Sequence, residues 1–208
     1  MRLLELGRTS YADSYAAQKA ALAARIAGTG PDTLIVCEHE PVITIGRTRG
    51  AKDNVLIPGD WPVVEVERGG DVTWHGPGQL VAYPIVALPE GEQDLHLHLH
   101  RLEEAAIRTC LELGLPAGRD ERNTGAWIRG RKVCSIGIAC RRWVTWHGLA
   151  LNVDPDLGAF ARINPCGFDA EVMTTMSVEA GRTLDMSEVQ PVLIRHLREL
   201  LPWGSTPG

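Results

Sequence analysis

Two side chains stand in settings that suit nucleophilic chemistry, Cys166 and Lys132. Cys166 lies in Ile163-Asn164-Pro165-Cys166-Gly167, outside any periodic run. Pro165 fixes the backbone before it and Gly167 frees the backbone after it, so the thiol is presented at a sharp bend. The plain alternative is an ordinary turn cysteine. A thiol at its usual pKa is only a few per cent thiolate near neutrality, so a catalytic cysteine wants a cation or base beside it. Lys132 heads the apolar run KVCSIGIA and is one of only three lysines, against eighteen arginines. Strand alternation puts Lys132 on the face of Cys134, Ile136 and Ile138, and puts Val133, Ser135, Gly137 and Ala139 on the other. A lysine in that position either snorkels to solvent or is held in a site. Held beside Cys166, its ammonium would lower the thiol pKa, and partial burial would bring the amine toward a useful acid/base range.

The other cysteines read differently. Cys37 and Cys134 sit in apolar strand runs and Cys110 on the apolar stripe of a helix, where cysteine behaves as a small hydrophobe. Cys140 ends a strand beside Arg141 and Arg142. The segment RGGDVTWHGPGQLVAY (68–83) is the densest in polar and glycine residues. Its loop N–H groups suit an oxyanion. It lacks the Gly-Lys-Ser/Thr ending of a Walker loop and the glycine spacing of a dinucleotide fingerprint. His75, among turn residues, is a candidate polar site residue and a possible oxyanion donor. Ser135, Gly137 and Ala139 form one small-residue row, and Gly148, Ala150 and Asn152 a second. Facing each other, they would leave room for a thin acyl chain or simply allow close packing. His96, His98 and His100 would share a face in a strand and bind a metal. In the helix expected there they diverge, so no metal site is assigned.

A helix is expected over 11–27, capped by Ser10 and closed by Gly28 and Gly30. Buried strands are expected at 33–37 and 42–46 around the turn Glu38-His39-Glu40-Pro41, and further strands at 62–67 and 79–86. A second helix should span 95–113, capped by Asp94 and stopped by Gly114. Residues 126–139 read as a hairpin turning at Arg129-Gly130-Arg131, and 144–153 as another strand. The stretch 155–183 is irregular, with short helical pieces. A final helix is expected from Ser187 to about Leu201, with Ser187 and Gln190 as its capping box. Strands with helices set among them, without regular βαβ alternation, imply a single α+β domain over 1–208, its sheet mostly antiparallel and flanked by helices.

Composition narrows the function classes. The chain has 208 residues, 44% of them hydrophobic, enough for a real core. A net charge of −5 argues against general nucleic-acid binding. No apolar run is long enough for a membrane span, and the N-terminus turns polar too early for a signal peptide, which points to the cytoplasm and to reduced cysteines. Five cysteines without a CxxC do not suggest a disulfide framework or a zinc knuckle. Arg129, Arg131, Arg141 and Arg142, near the ends of the hairpin, could form a local basic patch for an acidic partner.

Taken together, four segments resemble the lipoyl(octanoyl) transferases: RGGDVTWHGPGQLVAY at 68–83, GRKVCSIGI at 130–138 followed by HGLALN at 147–152, INPCG at 163–167, and EHEPVITIGR at 38–47. They occur in the family's order and span nearly the whole chain. The resemblance implies a fold like that of the biotin and lipoate protein ligases. It implies transfer of an octanoyl group from acyl carrier protein to a lysine of lipoyl domains, those of 2-oxoacid dehydrogenase E2 subunits and of the glycine cleavage H protein, with no cofactor. It matches Cys166 to the acyl-carrying cysteine and Lys132 to the activating lysine. It matches substrate binding to Arg68, Gly69, Gly70, Asp71, Val72, Thr73, Trp74, His75, Ser135, Ile136, Gly137, Gly148, Leu149 and Ala150. Rival readings are an ATP-dependent lipoate or biotin ligase on the same fold, and a noncatalytic acyl-chain or metal-binding module.

Overall fold

A computed structural model describes residues 1–164 and 170–204. Ten strands form two sheets: β1 (Arg2–Thr9), β2 (Thr33–His39), β3 (Val42–Ile45), β4 (Val63–Glu65), β5 (Val72–His75), β6 (Gln79–Ala87), β7 (Ala117–Gly118), β8 (Gly125–Ile128), β9 (Arg131–Arg141) and β10 (Val144–Asn152). The helices are α1 (Tyr11–Ile26), α2 (Leu95–Glu112), α3 (Met176–Ala180) and α4 (Met186–Leu200). The larger sheet runs β1-β2-β6-β10-β9-β8-β7 and the smaller β4-β3-β5. Among the described strands of the larger sheet, β1 and β2 pair in parallel and the other neighbours antiparallel. This is the mostly antiparallel α+β arrangement that the sequence implies.

The central strands carry apolar residues on both faces because both faces are covered. Leu34, Val36, Leu80, Ala82, Leu149 and Leu151 pack with residues of α2 and α4 on one side. Ile35, Val81, Tyr83, Ile85 and Ala150 pack with Leu22 of α1 on the other. Helix α1 starts as expected, Ser10 accepting from the Asp13 N–H at 3.1 Å. Helix α2 starts on Asp94, which accepts from the N–H groups of His96 and Leu97.

Four expectations change. Strand β1 was not foreseen, because LLELGR is too polar to show a buried period; it lies half-exposed at the sheet edge, the setting in which such a strand is tolerated. The two strands around Glu38–Pro41 belong to different sheets. The glycine-rich segment contains a strand of its own, β5, paired with β3. Helix α4 begins on Asp185, not Ser187: Glu188 reaches back to accept from the Asp185 N–H at 3.2 Å. Among the described residues, no helix is long and apolar enough to cross a membrane.

Candidate active site

Where β9 leaves β8, the ladder slips by one residue. Ala126 pairs with Cys134 and Trp127 with Lys132, leaving Val133 as the extra residue of a bulge. Val133 and Cys134 both enter the main core. The bulge therefore turns Lys132 over, off the face that strict alternation assigned it. Lys132 is 2% exposed. Its Nζ donates to the Asn123 side-chain oxygen and sits 5.5 Å from the Trp127 ring centroid. The Trp127 indole N–H in turn donates to the Asn123 carbonyl at 3.0 Å. Gly125 makes room for this lysine: at φ 149°, a Cβ there would lie 2.9 Å from Lys132 Cε and strike the Cys134 carbonyl. The lysine is held, not snorkelling.

Lys132 opens into a cavity of about 380 Å³. Thirteen of the fourteen substrate-binding residues named from the sequence line it: Arg68 to Thr73, His75, Ser135 to Gly137 and Gly148 to Ala150. Trp74 does not. Its side chain points to the opposite side of β5, against Phe160 and Trp61. The two small rows do face each other, Gly137 opposite Gly148 and Ser135 opposite Ala150. Sequence reasoning missed Tyr11, Tyr83, Asn123 and His147, which also line the cavity. Asn123 lies in a polar loop with no periodicity to mark it, whereas His147 could have been suspected from HGLALN.

The glycine loop is latched onto β9. The Gly69 N–H donates to the Ile138 carbonyl at 2.8 Å, and a Cβ on Gly137 would lie 2.8 Å from the Gly69 carbonyl oxygen. Arg68 shapes the loop from within, its guanidinium donating to the Asp71 and Thr44 carbonyls at 2.8 and 2.9 Å. Gly137→Val is accordingly expected to push the loop away, lowering kcat/KM for acyl transfer roughly tenfold or more and stability by about 1–3 kcal/mol. A transfer assay beside urea unfolding checks both; unchanged transfer would mean the latch does not shape the site.

Cys166 falls outside the described residues. Both flanks of its segment are anchored: the Asn164 N–H donates to the Asn54 carbonyl at 2.8 Å, and Met173 bridges to Lys132. The chain thus reaches Lys132's own strand seven residues after Cys166. Burial pushes the Cys37 and Cys110 thiols up to about 12 and Cys134 higher still, and it raises Cys140. The four described cysteines are therefore poor thiolates.

Several histidines are buried neutral. Burial lowers His39 and His98 to about 4 and His75 and His147 to about 3, below the ordinary 6.5. The unfolded chain takes up these protons from about pH 6.5 downward and the folded chain does not until about pH 4 or lower. Their contribution to stability is thus present above pH 6.5 and lost as pH falls below it. Melting curves between pH 7.5 and 4.5 are expected to show Tm falling as pH drops below 6.5; a flat Tm over that range would contradict the burial.

The candidate basic patch does not form. Arg129 and Arg131 both pair with the buried Glu179, at 2.8 and 2.6 Å. Arg141 and Arg142 lie at the far end of the 11-residue β9, roughly 30 Å away, so the four make no single patch. On α2, His98 is buried in the core, His96 lines the cavity and His100 pairs with Glu103 at 3.1 Å. The three diverge, as the helix reading required. Among the described residues no group of three or more His, Cys, Asp and Glu is placed to hold a metal.

The sequence matches the lipoyl protein ligase A/B catalytic domain family over residues 10–198. The chain belongs to this family. It is 47% identical over 190 residues to an octanoyltransferase of Geobacter metallireducens (91% of this chain, 88% of the relative). It is 44% identical over 192 residues to an octanoyltransferase of Gloeobacter violaceus (92% and 86%). Among its relatives it therefore stands with the octanoyltransferases, and it is an acyltransferase. The fold is like that of a lipoate-protein ligase A bound with ATP, at TM-score 0.75 and 18% identity (96% of this chain, 84% of that one). A biotin protein ligase from Aquifex aeolicus is more distant, at TM-score 0.55 and 15% identity (96% and 68%).

Proposed function

We propose that this octanoyltransferase domain, spanning 1–208, works by a ping-pong route with Cys166 as a transient octanoyl carrier and Lys132 as its activating cation and acid/base. The observation that carries the reading is Lys132 itself: almost fully buried in the cavity wall, its Nζ held by Asn123, it is placed as a positioned amine rather than a surface cation. The Cys166 thiolate attacks the carbonyl of the octanoyl thioester on acyl carrier protein. The tetrahedral adduct collapses, the carrier thiolate leaves and takes a proton, and the octanoyl group stays on Cys166. A lysine amine of a lipoyl domain, giving its proton to Lys132, then attacks this thioester. An amide forms and the Cys166 thiol is released. One thioester replaces another in the first half, so no ATP is required.

The small rows of β9 and β10 and the loop 68–73 hold the acyl chain, and loop amides receive the oxyanion. Acceptors are lipoyl domains of 2-oxoacid dehydrogenase E2 subunits and the glycine cleavage H protein, in the cytoplasm. A structural relative from Thermoplasma acidophilum, at TM-score 0.66, is described with its E2 lipoyl domain, which supports that acceptor class. Acidic carriers are steered by Lys19, Arg47 and Arg141 around a neighbouring hollow of about 570 Å³ that shares Gly69, Leu95 and Ile138 with the first cavity. The test is transfer from octanoyl carrier protein to a lipoyl domain with ATP withheld: full turnover supports the reading, and an absolute ATP requirement would favour the ligase reaction.

A further inference from the structure

A run of buried polar side chains joins the small sheet to the large one beneath the cavity. Arg68 Nη2 donates to Thr44 Oγ1 at 2.9 Å, and Thr44 Oγ1 lies 3.4 Å from His75 Nε2. His75 Nδ1 lies 2.6 Å from Gln79 Oε1, and Gln79 Nε2 donates to Asn152 Oδ1 at 2.9 Å. Asn152 Nδ2 donates to the Thr174 carbonyl at 3.0 Å. Thr44, His75, Gln79, Asn152 and Thr174 are all buried. At the far end, the Thr174 N–H donates to the Lys132 carbonyl at 3.0 Å.

The ends of this run fix its direction. A backbone carbonyl can only accept, so the atom of Asn152 that meets Thr174 is its amide nitrogen. Its oxygen then faces Gln79, which must donate; Gln79 Nε2 also donates to the Trp74 carbonyl at 3.3 Å. The Gln79 oxygen is left toward His75, so Nδ1 must carry a proton. At the other end a guanidinium can only donate, so Thr44 accepts from Arg68 and has its own proton free for His75 Nε2. Every link points one way, from Arg68 to Thr174.

We propose that His75 is a positioning residue, locked as the Nδ1–H tautomer, that couples the substrate loop at Arg68 to the segment that follows Cys166 and pairs with Lys132. This rests on the cavity being the active site. It also corrects the oxyanion role considered for His75. With Nδ1–H committed to Gln79 and Nε2 a lone-pair acceptor, the ring has no N–H to offer an oxyanion. Burial keeps the ring neutral, supported by the His39 ring at 5.7 Å, by Arg68 and by His147; Tyr11 stacks on it at 6.4 Å. A polarised series of this kind strengthens each link and holds one geometry.

Nitrogen-15 NMR of the histidine side chains of the full-length enzyme tests the assignment at pH 7. A protonated Nδ1 with an unprotonated Nε2 on His75 is expected; an Nε2–H tautomer or an imidazolium would overturn it. Gln79→Glu gives a second readout. A carboxylate still accepts from Nδ1–H but cannot donate to Asn152 or Trp74, and it favours imidazolium. The His75 titration is expected to move up by at least one pH unit, with kcat/KM down roughly tenfold. A titration left where it was would also overturn the proposal. If that variant does not fold, the wild-type spectrum alone decides. The tautomer is read without turnover, so failure of the Cys166 mechanism and failure of this inference are separable.

Discussion

Cys166→Ala is expected to lower octanoyl transfer by on the order of 10⁴-fold or more while the protein stays folded. The magnitude follows from the role: loss of a covalent nucleophile removes the intermediate itself, and what survives is the rate enhancement from binding and oriented dipoles alone. Of the five cysteines, the four described ones have thiols raised by burial, which disfavours their thiolates as substitutes. Steady-state transfer rates with circular dichroism as the folding control provide the check. A variant within tenfold of wild type would remove Cys166 from the chemistry.

The second large effect concerns Lys132. Lys132→Met keeps much of the side-chain volume in a site that is almost completely enclosed, yet deletes the charge. In the proposed mechanism the ammonium favours the Cys166 thiolate, so without it alkylation of Cys166 should shift to higher pH. Transfer should fall by about 10²–10⁴-fold, the usual contribution of a positioned acid/base. Asn123→Ala should reproduce part of this loss, since Asn123 Oδ1 holds the ammonium. Alkylation rate against pH is the direct measurement. An alkylation profile identical to wild type would deny Lys132 its activating part.

Much of this site was legible in the sequence because its chemistry demands local patterns. A loop packed onto a strand needs Gly70, at φ 88°, and Gly137, where a Cβ would lie 2.8 Å from the Gly69 carbonyl oxygen. Those requirements leave marks in a single chain. The α1 and α2 caps, Ser10 and Asp94, were legible for the same reason. What could not be read depends on pairing between distant segments. The Val133 bulge turns Lys132 over, but a bulge changes register without changing composition. Asn123 holds the lysine from a loop with no period. The series from Arg68 to Thr174 draws on four separate segments, and only their meeting in the fold reveals that His75 is spoken for at both nitrogens. The basic patch failed on simple length: β9 is too long for its two ends to act together.

In the proposed route the octanoyl group rests on Cys166 between two protein partners. Intact-mass analysis tests it most directly, after mixing the enzyme with octanoyl-acyl carrier protein without ATP and without acceptor. One octanoyl adduct per chain is expected, mapped by proteolysis to the peptide containing Cys166 and discharged when a lipoyl domain is added. No adduct, an adduct on another cysteine, or an adduct that persists in Cys166→Ala would contradict it.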